Sequence, residues 1–301
     1  MKKIFVLTLG IVSFLSGFAQ KTKSSDSTQF KLQFDFLSNY VYNGRADSVT
    51  YPYQITTATL NFGKGLYTSF SADYLLANGQ NRFDFFELDL GKEYSVGNNT
   101  SGEIYASKYF YSSNANVISG DITSDLGASL NHDFGLFQVN NTADIFFSGA
   151  TDLQYTLGLS KSIDFESEQG TWNITPSINA IGTSLGYYES VVNRKLNPAK
   201  GVKTKLANAN LPTVNITTTV QDKKFTLMAS EFSLPISYDK KKWGFEFTPT
   251  YAMPFNSVTT NSIVKTTTGG VTTTNTANST PYSEKNLRNI FYVQAGIFFK
   301  F

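Results

Sequence analysis

The chain holds one imidazole, His132, directly followed by Asp133. A histidine oriented by a carboxylate is a common general base, because imidazole titrates near neutrality. Outer-membrane lipases and proteases use this chemistry at the external side. Here the pair opens a tight turn, Asp133-Phe134-Gly135, and no spacing brings a Ser or a second acid beside it. His132 therefore reads as a solvated turn residue. Glu87 and Asp89 have the composition of a glycosidase acid pair, but residues two apart on a strand share a face, as any hydrophilic wall requires. The acids show no Asp-x-Asp-x-Asp-Gly calcium loop. The absence of cysteine removes zinc ribbons, iron–sulfur centres, thiol nucleophiles, disulfides and a lipid-modified N-terminal Cys. The expectation is no catalytic residue, no metal and no cofactor.

The elements carrying these residues are unusual for a soluble protein. Of 301 residues only 16% are charged, against roughly 25% in soluble domains, while 26 Phe, 17 Tyr and 2 Trp make the chain rich in aromatics. Lys2 and Lys3 precede an apolar run over 4–18, and Gly17-Phe18-Ala19 is a small-x-small cleavage site. That run is shorter than the ~20 residues a spanning helix needs. Residues 1–19 are thus expected to be a removed signal peptide, and 20–301 a single domain. Losing Lys2 and Lys3 from 25 basic residues leaves them equal to the 23 acids. A neutral chain gives no basis for nucleic-acid binding, which depends on a basic excess.

After residue 20 the dominant pattern has period two. Leu126, Ala128 and Leu130 alternate with Asp125, Gly127 and Ser129; Phe30, Leu32, Phe34 and Phe36 alternate with Lys31, Gln33 and Asp35. Leu153, Tyr155, Leu157 and Leu159 do the same against Gln154, Thr156, Gly158 and Ser160. Such segments are strands with one wet and one dry face. About twelve are predicted, near 28–44, 51–63, 65–77, 82–95, 102–113, 120–133, 136–149, 152–165, 171–187, 224–238, 243–254 and 289–301. An even number suits a closed, up-and-down transmembrane barrel of antiparallel strands. In the second strand Tyr53 and Ile55 are out of phase with Ala58, Leu60 and Phe62, which predicts a bulge there. Every second connection is compact and rich in Gly or charge, as at 63–65 and 133–135, while 190–223 and 255–288 are long. Short periplasmic turns and longer external loops have this asymmetry.

The last strand sets Phe291, Val293, Ala295, Ile297, Phe299 and Phe301 on one face and stops at a terminal Phe. It resembles the C-terminal recognition strand of bacterial outer-membrane barrels, which implies outer-membrane localisation and a barrel-insertion machinery that reads Ile297, Phe299 and Phe301. Trp172 and Trp243 both begin strands just after short turns, where an aromatic girdle would contact lipid and lipopolysaccharide headgroups. The stretch Ser38-Asn39-Tyr40-Val41-Tyr42-Asn43-Gly44, followed by a Tyr-Pro-Tyr strand start and the Gly63-Lys64-Gly65 turn, resembles the first hairpin of the TorF-like porins. In that family a bulky aromatic and then Arg-Gly are usual; Asn43-Gly44-Arg45 departs from that order. The Asn-, Thr- and Tyr-rich composition is similar to outer-membrane barrels of the Bacteroidota.

Alternation assigns Asp35, Asp73, Glu87, Asp89, Asp125, Asp144, Glu231 and Glu246 to the lumen, against Lys31, Lys300 and Lys108. Basic residues facing hydrocarbon would cost roughly 2–4 kcal/mol each at mid-bilayer. The acid excess points to a porin-like channel for passive diffusion of small hydrophilic solutes or cations. Equally, polar groups could pair and plug the interior, giving a non-conducting structural or assembly subunit that binds a protein partner through its external loops. Two loops bear on that surface. Arg194, Lys195, Lys200, Lys203 and Lys205 make 191–206 basic, and Gly269-Gly270 centres a Thr-rich hairpin over 259–280.

Overall fold

The computed structural model describes residues 28–46, 50–77, 79–112, 115, 117, 122–186, 213–220, 224–268, 271–279 and 287–301. The expected signal peptide over 1–19, the basic stretch 191–206 and Gly269-Gly270 lie outside these residues.

Twelve staves form the wall. They are β1 (Gln29–Leu37), β2 (Tyr53–Asn61), β3 (Leu66–Leu75), β4 (Arg82–Val96), β5 (Thr100–Tyr111), β6 (Ser124–Asp133), β7 (Gln138–Phe147) and β8 (Thr151–Ser160, prolonged by Ile163–Ser167). β9 joins Gly170–Ile174 to Ser177–Thr183, β10 joins Thr226–Ser233 to Ile236–Lys240, β11 is Trp243–Pro254 and β12 is Ile290–Lys300. Each stave pairs antiparallel with its chain neighbours, and β12 pairs with both β11 and β1, so the sheet closes on itself. At the seam Phe301 N donates to Phe30 O at 2.9 Å. Pro176 and Pro235 interrupt β9 and β10 because proline offers no N–H, and Pro249 lies within the continuous β11 beside the break in β10. Their carbonyls still accept, from Lys161 N at 3.2 Å, Thr175 N at 2.9 Å and Leu234 N at 3.1 Å, which carries the wall across the breaks.

Connections 62–65, 97–99, 134–137, 168–169 and 241–242 are tight and lie at one end, together with the start of β1 and the end of β12. The longer connections gather at the other end. There Thr213–Val220, Thr260–Thr268 and Val271–Ser279 form a separate three-stranded sheet. The hairpin over 259–280 is present. Its partner strand Thr213–Val220 was not foreseen within the long connection, although its Thr- and Val-rich make-up favours extended backbone.

The bulge predicted in β2 is absent: Tyr53 to Asn61 pair without interruption with both β1 and β3. Tyr53 and Ile55 face inward because the barrel interior is apolar at that level, packing with Leu37, Leu75 and Phe85. A bulge occurs instead in β4. The register against β3 shifts between Asp73 and Tyr74, and Asp84 and Phe85 are consecutively buried.

Alternation otherwise sorts the side chains. Leu88, Leu90, Leu126, Leu130, Leu157, Phe232 and Ile297 are exposed on the outer face, whereas Ser69, Ser71, Ser107, Ser129 and Thr250 are buried inside. Inside, tyrosine rings lie flat over glycines of the next stave, Tyr67 over Gly91 and Tyr105 over Gly127. Only a residue without Cβ permits this approach, and the ring covers backbone that the glycine leaves bare. Each hydroxyl then donates onward to a carboxylate, Tyr67 to Glu103 and Tyr105 to Asp144.

The three atoms nearest a Cβ on Gly127 all belong to the Tyr105 side chain, at 2.2 to 2.5 Å. Gly127→Ala should therefore lower unfolding stability in detergent by about 1–3 kcal/mol, as overpacking does, and should cost close to nothing in a Tyr105→Ala background. Urea titration of the four proteins in this double-mutant cycle checks the coupling; additive losses would show that the ring is not what excludes the methyl group.

Candidate functional site

The polar interior is built from residues that alternation turns inward. Asp35, Asp73, Glu87, Asp89, Asp125, Asp144 and Glu231 are each less than 10% exposed. Asp89 Oδ2 accepts from Ser69 Oγ at 2.6 Å, and Asp35 Oδ1 accepts from Gln33 Nε2 at 3.1 Å. Near the short-turn end, Gln33 Nε2 also donates to Glu246 Oε2 at 3.1 Å, and Lys31 Nζ stands 3.7 Å from Glu246 Oε1. Lys300 pairs with Asp239. The ring of Phe298 lies between these lysines, 4.4 Å from Lys31 Nζ and 5.2 Å from Lys300 Nζ. Lys108 does not join the interior. It is exposed and stands opposite Leu88 and Ser124, on the outer face.

Sequence reasoning missed three interior charges. Asp84 accepts from Tyr53 Oη at 2.7 Å and from Arg82 Nε at 2.7 Å; the β4 bulge turns it inward within an apolar run. Asp152, at the start of the strand predicted over 152–165, accepts from Ser184 Oγ and Gly186 N, both at 2.7 Å. Arg45 is the third. Its guanidinium donates to four backbone carbonyls, those of Asn43 (3.0 Å), Met228 (3.2 Å), Phe255 (3.0 Å) and Asn256 (2.8 Å).

Arg45 belongs to a hairpin that folds into the barrel mouth. Val41–Tyr42 pairs with Arg45–Ala46 around Asn43-Gly44, with φ of 51° and 72°. Positive φ at both central residues is the turn that an Asn-Gly pair favours. A Cβ on Gly44 would fall 2.6 Å from that of Ala229, so the turn rests directly on the wall. Tyr40 packs edge-on against Tyr53 and Phe85 at 5.9 and 6.2 Å, and Tyr42 against Phe146 at 6.5 Å. Two apolar clusters complete the mouth, one around Leu37, Ile55, Leu75 and Val117, the other around Ile122, Leu185, Val220, Met228 and Val258.

Beneath the hairpin is a cavity of about 120 Å³, bounded by Tyr42, Tyr105, Tyr109, Phe146, Glu87, Asp125, Asp144, Asn140 and Gln154 among others. Among the described residues nine carboxylates (Asp35, Asp73, Asp84, Glu87, Asp89, Asp125, Asp144, Asp152 and Glu231) are buried, against one base, Arg45. No three of the acids, or of acids with His132, converge closely enough for a metal ion among the described residues.

The outer features lie elsewhere. Trp172 and Trp243 share an exposed aromatic patch at the short-turn end, linked through Tyr238 at 5.1 and 5.6 Å. Ile297, Phe299 and Phe301 face outward on β12, and Phe301 meets Phe30 of β1 at 5.8 Å. His132 Nδ1 lies 2.8 Å from Thr100 Oγ1, with its ring 4.5 Å from Phe134.

No family model matches the chain, and no curated protein matches it. Solved structures do. A porin is 12% identical with a TM-score of 0.32, over 91% of this chain and 99% of its own. OccAB3 of Acinetobacter baumannii is 7% identical with a TM-score of 0.31, over 91% and 98%. OmpF of Salmonella typhi is 8% identical with a TM-score of 0.28, over 91% and 97%. Likenesses of this strength say nothing about what the present barrel carries.

Proposed function

We propose that the chain is a porin-like barrel of the bacterial outer membrane that lets small hydrophilic solutes diffuse passively and favours cations. The carrying observation is the make-up of the interior, where nine carboxylates and one guanidinium are buried among the described residues and Lys31, Lys300 and Arg82 each pair with an acid, inside a wall whose outer face is apolar. Backbone groups in hydrocarbon must be satisfied by other backbone groups, and a closed antiparallel ring does this without an edge. Carboxylates along a low-dielectric passage concentrate cations and repel anions. On this reading the short turns are periplasmic, the long connections are external, Trp172 and Trp243 contact lipid and lipopolysaccharide headgroups, and Ile297, Phe299 and Phe301 are presented to the insertion machinery. Affiliation with the TorF-like porins rests on residues 38–44, the Tyr51-Pro52-Tyr53 strand start and the Gly63-Lys64-Gly65 turn, and a Bacteroidota source on the Asn-, Thr- and Tyr-rich composition.

A second reading draws on the mouth. The inward hairpin, tied by Arg45 to both β10 and the connection after β11, and the two apolar clusters narrow the barrel. A closed barrel of this kind would act as a structural or assembly subunit whose long connections hold a protein partner.

Reconstitution into planar bilayers separates the two. A salt gradient should give a reversal potential of cation sign, and the preference should fade as ionic strength rises from 0.1 to 1 M, where the Debye length shrinks from about 10 to about 3 Å. Currents that favour anions, or a bilayer that stays closed, contradict the channel. Arg45→Ala removes four hydrogen bonds to carbonyls, each worth about 1.5–3 kcal/mol when the donor is charged. It should raise single-channel conductance or open probability, while the folded band on an unheated gel keeps its mobility. An unchanged current would show that the hairpin does not gate the mouth.

A further inference from the structure

We propose that the cavity beneath the 41–46 hairpin is a binding site for a small organic ammonium cation. This rests on the reading of the interior as a cation-favouring passage, since the ligand reaches the cavity through water inside the barrel.

The cavity wall offers acceptors without matching donors. Glu87 and Asp125 are 2% and 4% exposed, yet Glu87 Oε1 and Asp125 Oδ1 have no hydrogen-bond partner. Gln154 Oε1 is likewise buried and unpartnered. Asn140 spends its amide nitrogen on Ser160 Oγ at 2.9 Å, which leaves Oδ1 unpaired as well. A buried polar oxygen lacking a partner is costly, and two carboxylate and two amide oxygens of this kind around one space call for a positive group that can donate. The remaining wall is aromatic. Tyr42, Tyr105, Tyr109 and Phe146 border the same cavity, and ring faces carry the negative side of the quadrupole that attracts cations.

The occupant's class follows by elimination among charges and sizes. An anion would be repelled, and a neutral solute would bring no charge to Glu87 Oε1 and Asp125 Oδ1. A bare metal ion needs several oxygens converging on one point, which the spacing of the acids does not give. An alkylammonium suits both halves of the wall, its charge toward Glu87 and Asp125 and its carbon body toward the rings. An apolar cavity of ~150 Å³ holds benzene, so 120 Å³ admits a head the size of trimethylammonium.

Choline is the probe, and dimethylbutanol, its uncharged carbon isostere, is the control. Calorimetric titration of the full-length detergent-solubilised barrel should show saturable binding of choline and none of the alcohol at equal concentration. Glu87→Gln combined with Asp125→Asn should weaken choline at least about tenfold, a loss of about 1.4 kcal/mol. Gln154→Glu, which adds a charge at the same wall, should tighten it and guards against misfolding of the first variant. Potassium currents are recorded in parallel. Absence of choline binding while cation-selective currents persist overturns the site and leaves the channel reading intact. Equal binding of choline and the alcohol also overturns it, since an apolar hole alone would then suffice. Choline binding without currents supports the site while the channel reading fails.

Discussion

An unpaired N–H or C=O in hydrocarbon costs several kcal/mol, and a flat sheet has two full edges of them. The rest of the molecule follows from how this chain removes both. β12 must reach β1, and it does so along seven partnered positions from Lys31↔Lys300 to Leu37↔Gln294, with the last residue hydrogen-bonded back to Phe30. Once the ring is shut, the pleat allows two destinations for a side chain. Leucine and phenylalanine take the outer one. The carboxylates, serines and threonines are forced into a confined interior.

That confinement sets the interior's chemistry. Polar side chains too short to cross the barrel are joined by tyrosines that lie over glycines and donate to carboxylates one stave further on, as Tyr105 does over Gly127 toward Asp144. At the long-loop end the first connection turns inward, and Arg45 fastens it through carbonyls of β10 and of residues just past β11. Wall and hairpin together make the cavity: the wall supplies the unpaired oxygens and the rings of Tyr105, Tyr109 and Phe146, and the hairpin supplies Tyr42 and a roof. A narrowed mouth and an acidic interior are thus two consequences of one closed cylinder whose connections have unequal lengths.

Most of the wall was legible in the sequence because period two is a local signal. Asp125, Gly127 and Ser129 against Leu126, Ala128 and Leu130 state their faces without reference to any other stave. The rule that wet residues point inward failed where the interior is itself apolar. Tyr53 and Ile55 obey the alternation of β2 but pack under the hairpin, and so they imitated a bulge. The real bulge at Asp84 and Phe85 was hidden in Phe83-Asp84-Phe85-Phe86, where either phase places aromatics on both faces. Lys108 breaks the rule in the other direction, a charge that shares the outer face with Ile104 and Phe110. Arg45 could not be placed at all. The Asn-Gly turn beside it is readable, but three of its four acceptors are main-chain carbonyls about two hundred positions away, and carbonyls carry no residue signature.

Because the chain contains no cysteine, one measurement reaches the central claim without background: spin labels attached singly through Glu87→Cys, Leu88→Cys, Asp89→Cys and Leu90→Cys in lipid bilayers. Collision with dissolved oxygen, which concentrates in the membrane interior, should be high at 88 and 90 and low at 87 and 89, with the reverse order for a water-soluble nickel chelate. Equal access along the four positions, or a nickel-accessible 88 and 90, would contradict a closed barrel with lipid outside and acid within.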